Sequence, residues 1–171
     1  MKAKWIIVIA MCVCLVAAFS ASLHVLQIAA LREGKIVFVR IIHPGERFAT
    51  KYIHSVEKCP VWEFFRVDER FQIVVYETTF SSCNTGLPSA PQGDEQFRNE
   101  GNQFRLSHMH RVLPALRVWV HDRYENTMKY GNSEVLMLPS LAGNTLLEIA
   151  VRQITVGEFL YRKMRLFLEN S

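Results

Sequence analysis

The sequence predicts an all-β fold, an antiparallel β-sandwich or barrel, preceded by one amino-terminal transmembrane helix. Three observations carry that prediction. The stretch from Trp5 to Leu31 holds no Asp, Glu, Lys or Arg. After it come short segments in which apolar and polar residues alternate, the period of strands wet on one side. Turn residues separate those segments at the spacing that sandwiches and barrels use.

Lys2 and Lys4 precede the apolar run, whose richest part is "WIIVIAMCVCLVAAF". About 20 apolar residues suffice to span a bilayer. Lysines at the leading end make that end cytoplasmic, so the chain divides into an anchor or signal segment, residues 1–31, and an extracytoplasmic β-domain, residues 32–171. The expected location is therefore the cytoplasmic membrane, single-pass, with the carboxy-terminal domain periplasmic. A cleavable signal peptide is the rival reading, because Ala18, Ser20 and Ser22 are small residues of the kind a signal peptidase accepts. The apolar continuation "LHVLQIAAL" exceeds what a signal peptide needs and favours retention. Cys12 and Cys14 follow the bulky Met11 and Val13 and read as membrane-embedded packing rather than a lipoprotein signal.

In the outer domain "KIVFVRII", "VWEFFRV" and "FQIVVYETTF" are rich in β-branched and aromatic residues, with "DER" at Asp68 to Arg70 as a hairpin connection. "LRVWVHD" puts Leu116, Val118 and Val120 on one face. "TLLEIAVRQI" does the same with Leu147, Ile149 and Val151. Turns are expected at "HPGE", "YGNS" and "AGN". The tail "GEFLYRKMRLFLEN" reads as a terminal strand passing into a short helix lined by Phe159, Leu160, Met164 and Phe167. The polar segment "SCNTGLPSAPQGDEQFRNEGNQFRLSHMH" reads as a long loop, which in a compact domain is usually functional or mobile.

Half of the 171 residues are hydrophobic, so a core can form and a disordered chain is excluded. The net charge is +4, of which Lys2 and Lys4 supply two, and a domain so nearly balanced is no candidate for binding nucleic acid. No phosphate loop, dinucleotide fingerprint or Cys-x-x-Cys is present, and no cofactor is implied. "HMH" places His108 and His110 on one face of a strand, but two ligands do not make a metal site.

The polar cluster "KYIHSVEKCPVWEFF" contains His54, Ser55, Glu57 and Lys58. On a strand His54 and Ser55 point to opposite faces, so they do not pair as base and nucleophile. Extended strand geometry would also send Glu57 and Lys58 to separate cross-strand partners.

"YIHSVEKCPVWEFF" followed by "ETTFSSCNTGLP" resembles the bacterial family catalogued as domain of unknown function 1850. The shared features are a His-Ser-Val-Glu-Lys segment, a Pro-Val-x-Glu continuation, and a later Phe-x-Ser to Gly-Leu-Pro stretch. The resemblance covers roughly Ile36 to Val151. It implies a small protein with an amino-terminal hydrophobic segment and a genetic context beside tripartite transporters of the TAXI type. Cys59 stands where the family commonly has Thr, and Cys83 and Asn84 replace an aromatic residue and a glycine. The joint appearance of Cys59 and Cys83 in an oxidising compartment suggests a disulfide; two independent buried thiols are the alternative.

The leading functional expectation is a non-catalytic, membrane-anchored accessory domain whose partners are the membrane and transporter subunits. The alternative is a small-ligand-binding protein that uses the His54 strand and the loop at Gly86, Leu87 and Pro88, with His54 donating to a carbonyl near Gly86. A hydrolase is the third reading.

Overall fold

Two antiparallel sheets pack face to face across one apolar core in the structure, a computed structural model that describes residues 2–54, 56, 58–81, 91–131 and 134–169. The first sheet holds four strands: β1 (Ser22–Ala30), β2 (Lys35–Ile41), β8 (Leu116–Val120) and β11 (Thr145–Thr155), in the order β2-β1-β11-β8. The second holds seven: β3 (Arg47–Ile53), β4 (Pro60–Val67), β5 (Ile73–Phe80), β6 (Gln96–Asn99), β7 (Phe104–Leu113), β9 (Thr127–Tyr130) and β10 (Glu134–Met137). Their order is β10-β9-β3-β4-β5-β7-β6. A helix, α1 (Lys2–Ser20), precedes the sheets, a short α2 (Leu138–Ala142) links β10 to β11, and α3 (Val156–Glu169) follows β11.

The sandwich predicted from alternation is present, and its inward residues match the predicted faces. Leu147 and Ile149 of β11 and Val120 of β8 are buried, and Leu116, Val118 and Val151 pack against the same cluster. From the other sheet Phe48, Phe65, Val75, Leu106 and Met128 close the core. The "HPGE" turn is held by His43 N–H donating to Glu46 Oε1 at 2.7 Å, and Asp68 Oδ1 accepts from the N–H groups of Arg70 and Gln72 to fix the β4–β5 hairpin.

The apolar run from Trp5 to Leu31 is divided rather than continuous. It is helical to Ser20, and Ser22–Ala30 is an interior strand that pairs with β11 on one side and β2 on the other. β1 is apolar along its length because both of its faces are covered. Leu26, Ile28 and Ala30 enter the core, while Leu23 and Val25 meet Phe159 and Leu166 of α3 on the outer face. The extra length that favoured a retained anchor therefore belongs to the sheet. Helix α1 exposes its apolar side chains, with Trp5 69% and Val16 67% accessible. Among the described residues no helix is long and apolar enough to cross a membrane.

Two further expectations are corrected. The long segment read as loop contains β6 and β7. Its signal was hidden by a β-bulge opposite Val75–Glu77, where His108 takes a positive φ of 59°. The bulge spaces the inward residues Leu106 and Met109 three apart instead of two, so the alternation fails. In α3, Phe159 turns inward, but Leu160, Met164 and Phe167 face outward.

Candidate functional site

β3 and β4 pair from Arg47↔Arg66 to Ile53↔Pro60, and this register decides which side chains look into the sandwich. Phe48 lies opposite Phe65, Thr50 opposite Glu63, and Tyr52 opposite Val61. Phe48 and Phe65 are core residues, so by the period of two Thr50, Tyr52, Val61 and Glu63 share their face. A carboxyl is thus directed between the sheets, in a row whose neighbours Thr50 and Thr78 are both buried.

That face opens into a cavity of about 600 Å³ at the edge of the first sheet, between the β3–β4 end of one layer and β8 of the other. Tyr52, His54, Glu63 and Asn126 bring polar groups to it; Leu116 and Val118 form an apolar wall, and Trp119 and Tyr124 stand at its rim. Asn126 precedes β9, whose Thr127 pairs with Lys51, so it enters beside the end of β3. Its backbone is locked by a bond to the Tyr124 carbonyl at 2.8 Å and another from Leu138 N–H at 2.9 Å. Its Oδ1 is buried and, among the described residues, has no hydrogen-bond partner, and Thr50 Oγ1 is in the same condition.

Electrostatics mark the same place. Burial raises the Glu63 carboxyl above its ordinary range. Among the described residues Glu63 makes no hydrogen bond or ion pair. The Tyr52 phenol is pushed up to about 12, first by burial and then by the negative charges of Glu63 and Cys59. The cavity therefore gathers hydrogen-bonding groups with little internal use for one another. Such groups in an apolar hollow are the usual make-up of a small-molecule site.

Of the predicted site residues, His54 lines this cavity. Lys58 approaches from the rim, its Nζ 5.9 Å from the centre of the Tyr124 ring. His54, Lys58 and Cys59 are not part of the extended strand that was expected: His54 N–H donates to the Cys59 carbonyl at 2.9 Å and Lys58 N–H to the His54 carbonyl at 3.0 Å. These three lie between the end of β3 and the start of β4, with Lys58 at a φ of 53°. Ser55, Glu57, Cys83, Gly86, Leu87 and Pro88 lie outside the described residues. Cys59 carries a free thiol in the structure and is half-buried.

Sequence reasoning missed Tyr52, Glu63 and Asn126. The signal for Glu63 was available, because it interrupts the inward series Val61, Phe65 and Val67. His108 and His110 lie on β7 on the far side of the second sheet from β3. His110 Nδ1 is 3.4 Å from the Arg66 guanidinium, and His108 Nδ1 is 3.2 Å from Ser107 Oγ. Among the described residues no three His, Cys, Asp or Glu side chains are grouped to hold a metal ion.

No curated protein matches this chain, and no solved structure does. A family model described as a domain of unknown function, DUF1850, matches residues 48–137. Every residue lining the cavity falls inside that span. The chain belongs to the DUF1850 family.

Proposed function

We propose that this domain binds a small molecule in the cavity at the His54 edge of the sandwich while α1 holds it at the outer face of the cytoplasmic membrane. The observation that carries the binding reading is the Glu63 carboxyl turned into the hollow beside Asn126, with no hydrogen-bond or ion-pair partner among the described residues. A buried polar group without a partner costs about 1–3 kcal/mol. A ligand that presents an ammonium or other N–H donor to Glu63 recovers part of that cost, and its carbon skeleton lies against Leu116 and Val118. Screening amines, amino acids and carboxylic acids by thermal shift of the full chain tests this. Donor-bearing compounds are expected to stabilise the wild type and to lose that effect in Glu63→Gln. Stabilisation by no class, or equal stabilisation of the variant, sinks the reading.

The membrane part of the proposal rests on the lysines before the apolar run and on the exposed apolar side chains of α1. Retention of α1 is favoured by a contact at its end. A Cβ on Gly157 would stand 3.2 Å from Phe19 Cδ1, so the missing side chain makes room for the helix. Mass spectrometry of the native protein decides between retention and cleavage near Ala21. Association with a TAXI-type transporter, which the family resemblance implies, is part of the same proposal. Affinity purification of the full chain from native membranes is the test, and recovery without any transporter subunit counts against it.

The Cys59–Cys83 disulfide also belongs here. Val61 pairs with Phe80. In sequence Cys59 lies two residues before the one and Cys83 three residues after the other, and that spacing is what supports the proposal.

A further inference from the structure

Helix α3 carries two apolar faces, and one of them is already spent. Phe159 and Leu166 cover Val25, Val39 and Ile154 on the outer face of the first sheet. The second face consists of Leu160, Tyr161, Met164, Phe167 and Leu168, which are 48% to 72% accessible. Counted from Gly157 these fall at i+3, i+4, i+7, i+10 and i+11, a single stripe along an α-helix.

Two observations say what covers that stripe. The first is continuity. Gly157 begins the stripe, and it is the residue against which Phe19 of α1 rests. Val156 N–H donates to the Ala21 carbonyl at 2.9 Å, so α3 starts where α1 ends. The apolar surface of α1 therefore runs on into the exposed face of α3. The second is charge. Lys163 and Arg165 are exposed and stand on the two borders of the stripe. The helix acids lie off the stripe, on the flank beyond Arg165, where Glu158 pairs with Arg162, and Glu169 pairs with Lys35 and Arg165. Cations bordering an apolar face, with no acid on it, is the arrangement of a helix lying in a lipid interface.

We propose that α3 is a membrane-surface helix that lays its Leu160–Leu168 face into an anionic lipid interface beside α1 and fixes the orientation of the sandwich on the bilayer. A second copy of the chain fits this face less well, because pairing two such stripes brings their bordering cations together. The proposal shares the membrane with the tether reading but needs none of its geometry beyond the contact at Phe19.

The test places a photo-reactive benzoylphenylalanine in turn at Met164, Leu168, Glu158 and Val8 of the full chain. The protein is held in vesicles of phosphatidylcholine with about a quarter phosphatidylglycerol. Lipid adducts at Met164 and Leu168 are expected about tenfold above those at Glu158, which lies off the stripe on the flank that carries its ion pair with Arg162. Cross-linking at Met164 and Leu168 to a second chain overturns the proposal in favour of self-association. Adducts at Val8 alone overturn it and leave the α1 tether standing, and adducts at none of the four positions remove both.

Discussion

Glu63→Gln is expected to stabilise the domain at neutral and alkaline pH and to leave it unchanged in acid. In the unfolded chain the carboxyl gives up its proton near about pH 4.3. In the folded domain burial raises that value. Between the two values the folded protein holds a proton that the unfolded chain has released. Stability therefore falls as pH rises through this window, by up to about 1.4 kcal/mol per pH unit, and is constant above it. Glutamine does not titrate, so the variant lacks the fall. A buried polar group without a partner costs about 1–3 kcal/mol. Glu63 keeps some contact with solvent through the cavity, so the low end, about 1 kcal/mol, is the expected gain at pH 8. For a domain of this size that corresponds to roughly 2–4 °C in Tm. Urea unfolding of both chains from pH 4 to pH 8, followed by tryptophan fluorescence with Trp62 next to the mutated site, measures the difference directly. A constant difference between the two chains across that range would refute the account of Glu63 as a buried, unpaired carboxyl.

Tyr52, raised to about 12, is expected to ionise last among the tyrosines in a spectrophotometric titration, and Tyr52→Phe should remove that final step. Its contribution to stability is lost as pH rises from about 10 toward 12, since the unfolded phenol ionises first. Glu63→Gln should bring the Tyr52 step down, and an unmoved step would mean that burial alone sets it. Thr50→Val removes a buried hydroxyl with no partner among the described residues and should stabilise the domain by up to about 1 kcal/mol in thermal unfolding; a loss of stability would reveal a bond to that hydroxyl. Non-reducing peptide mapping of protein from the cell envelope should recover Cys59 joined to Cys83, a bridge worth about 3 kcal/mol in the chain-entropy model. Finding both thiols alkylatable rules it out.

β8 and β11 were legible from their alternation and β2, β4 and β5 from their β-branched and aromatic composition, and all five appear where the sequence put them. Three departures hid others. β1 is apolar on both faces, so it shows no alternation and merges with the helix before it. β7 carries a bulge that breaks its period at His108. β9 and β10 are only four residues each, too short for a period to register. The site was legible to the extent that His54 was singled out. Its companions come from β4, β8 and the approach to β9, and only the register and the layering bring them together.

The position of the cavity follows from the sizes of the two sheets. Four strands facing seven cannot cover the whole inner surface of the larger sheet, and the shortfall must be filled or left open. Toward β6 and β7 it is filled: Phe97 stacks on Phe104 with ring centres 5.6 Å apart, and Phe80 packs against both. Toward β3 the covering strand is β8, an edge strand of five residues. The inward positions beneath it carry Thr50, Tyr52 and Glu63 where a closed core would carry aliphatic residues. Filling that end with leucine or valine would bury apolar area at about 25 cal/mol per Å². The chain instead carries a carboxyl and a phenol that burial raises above their ordinary ranges, beside an amide oxygen with no partner among the described residues. Polar groups that cost stability, gathered beneath a short edge strand, are the observations on which the proposed binding reading stands.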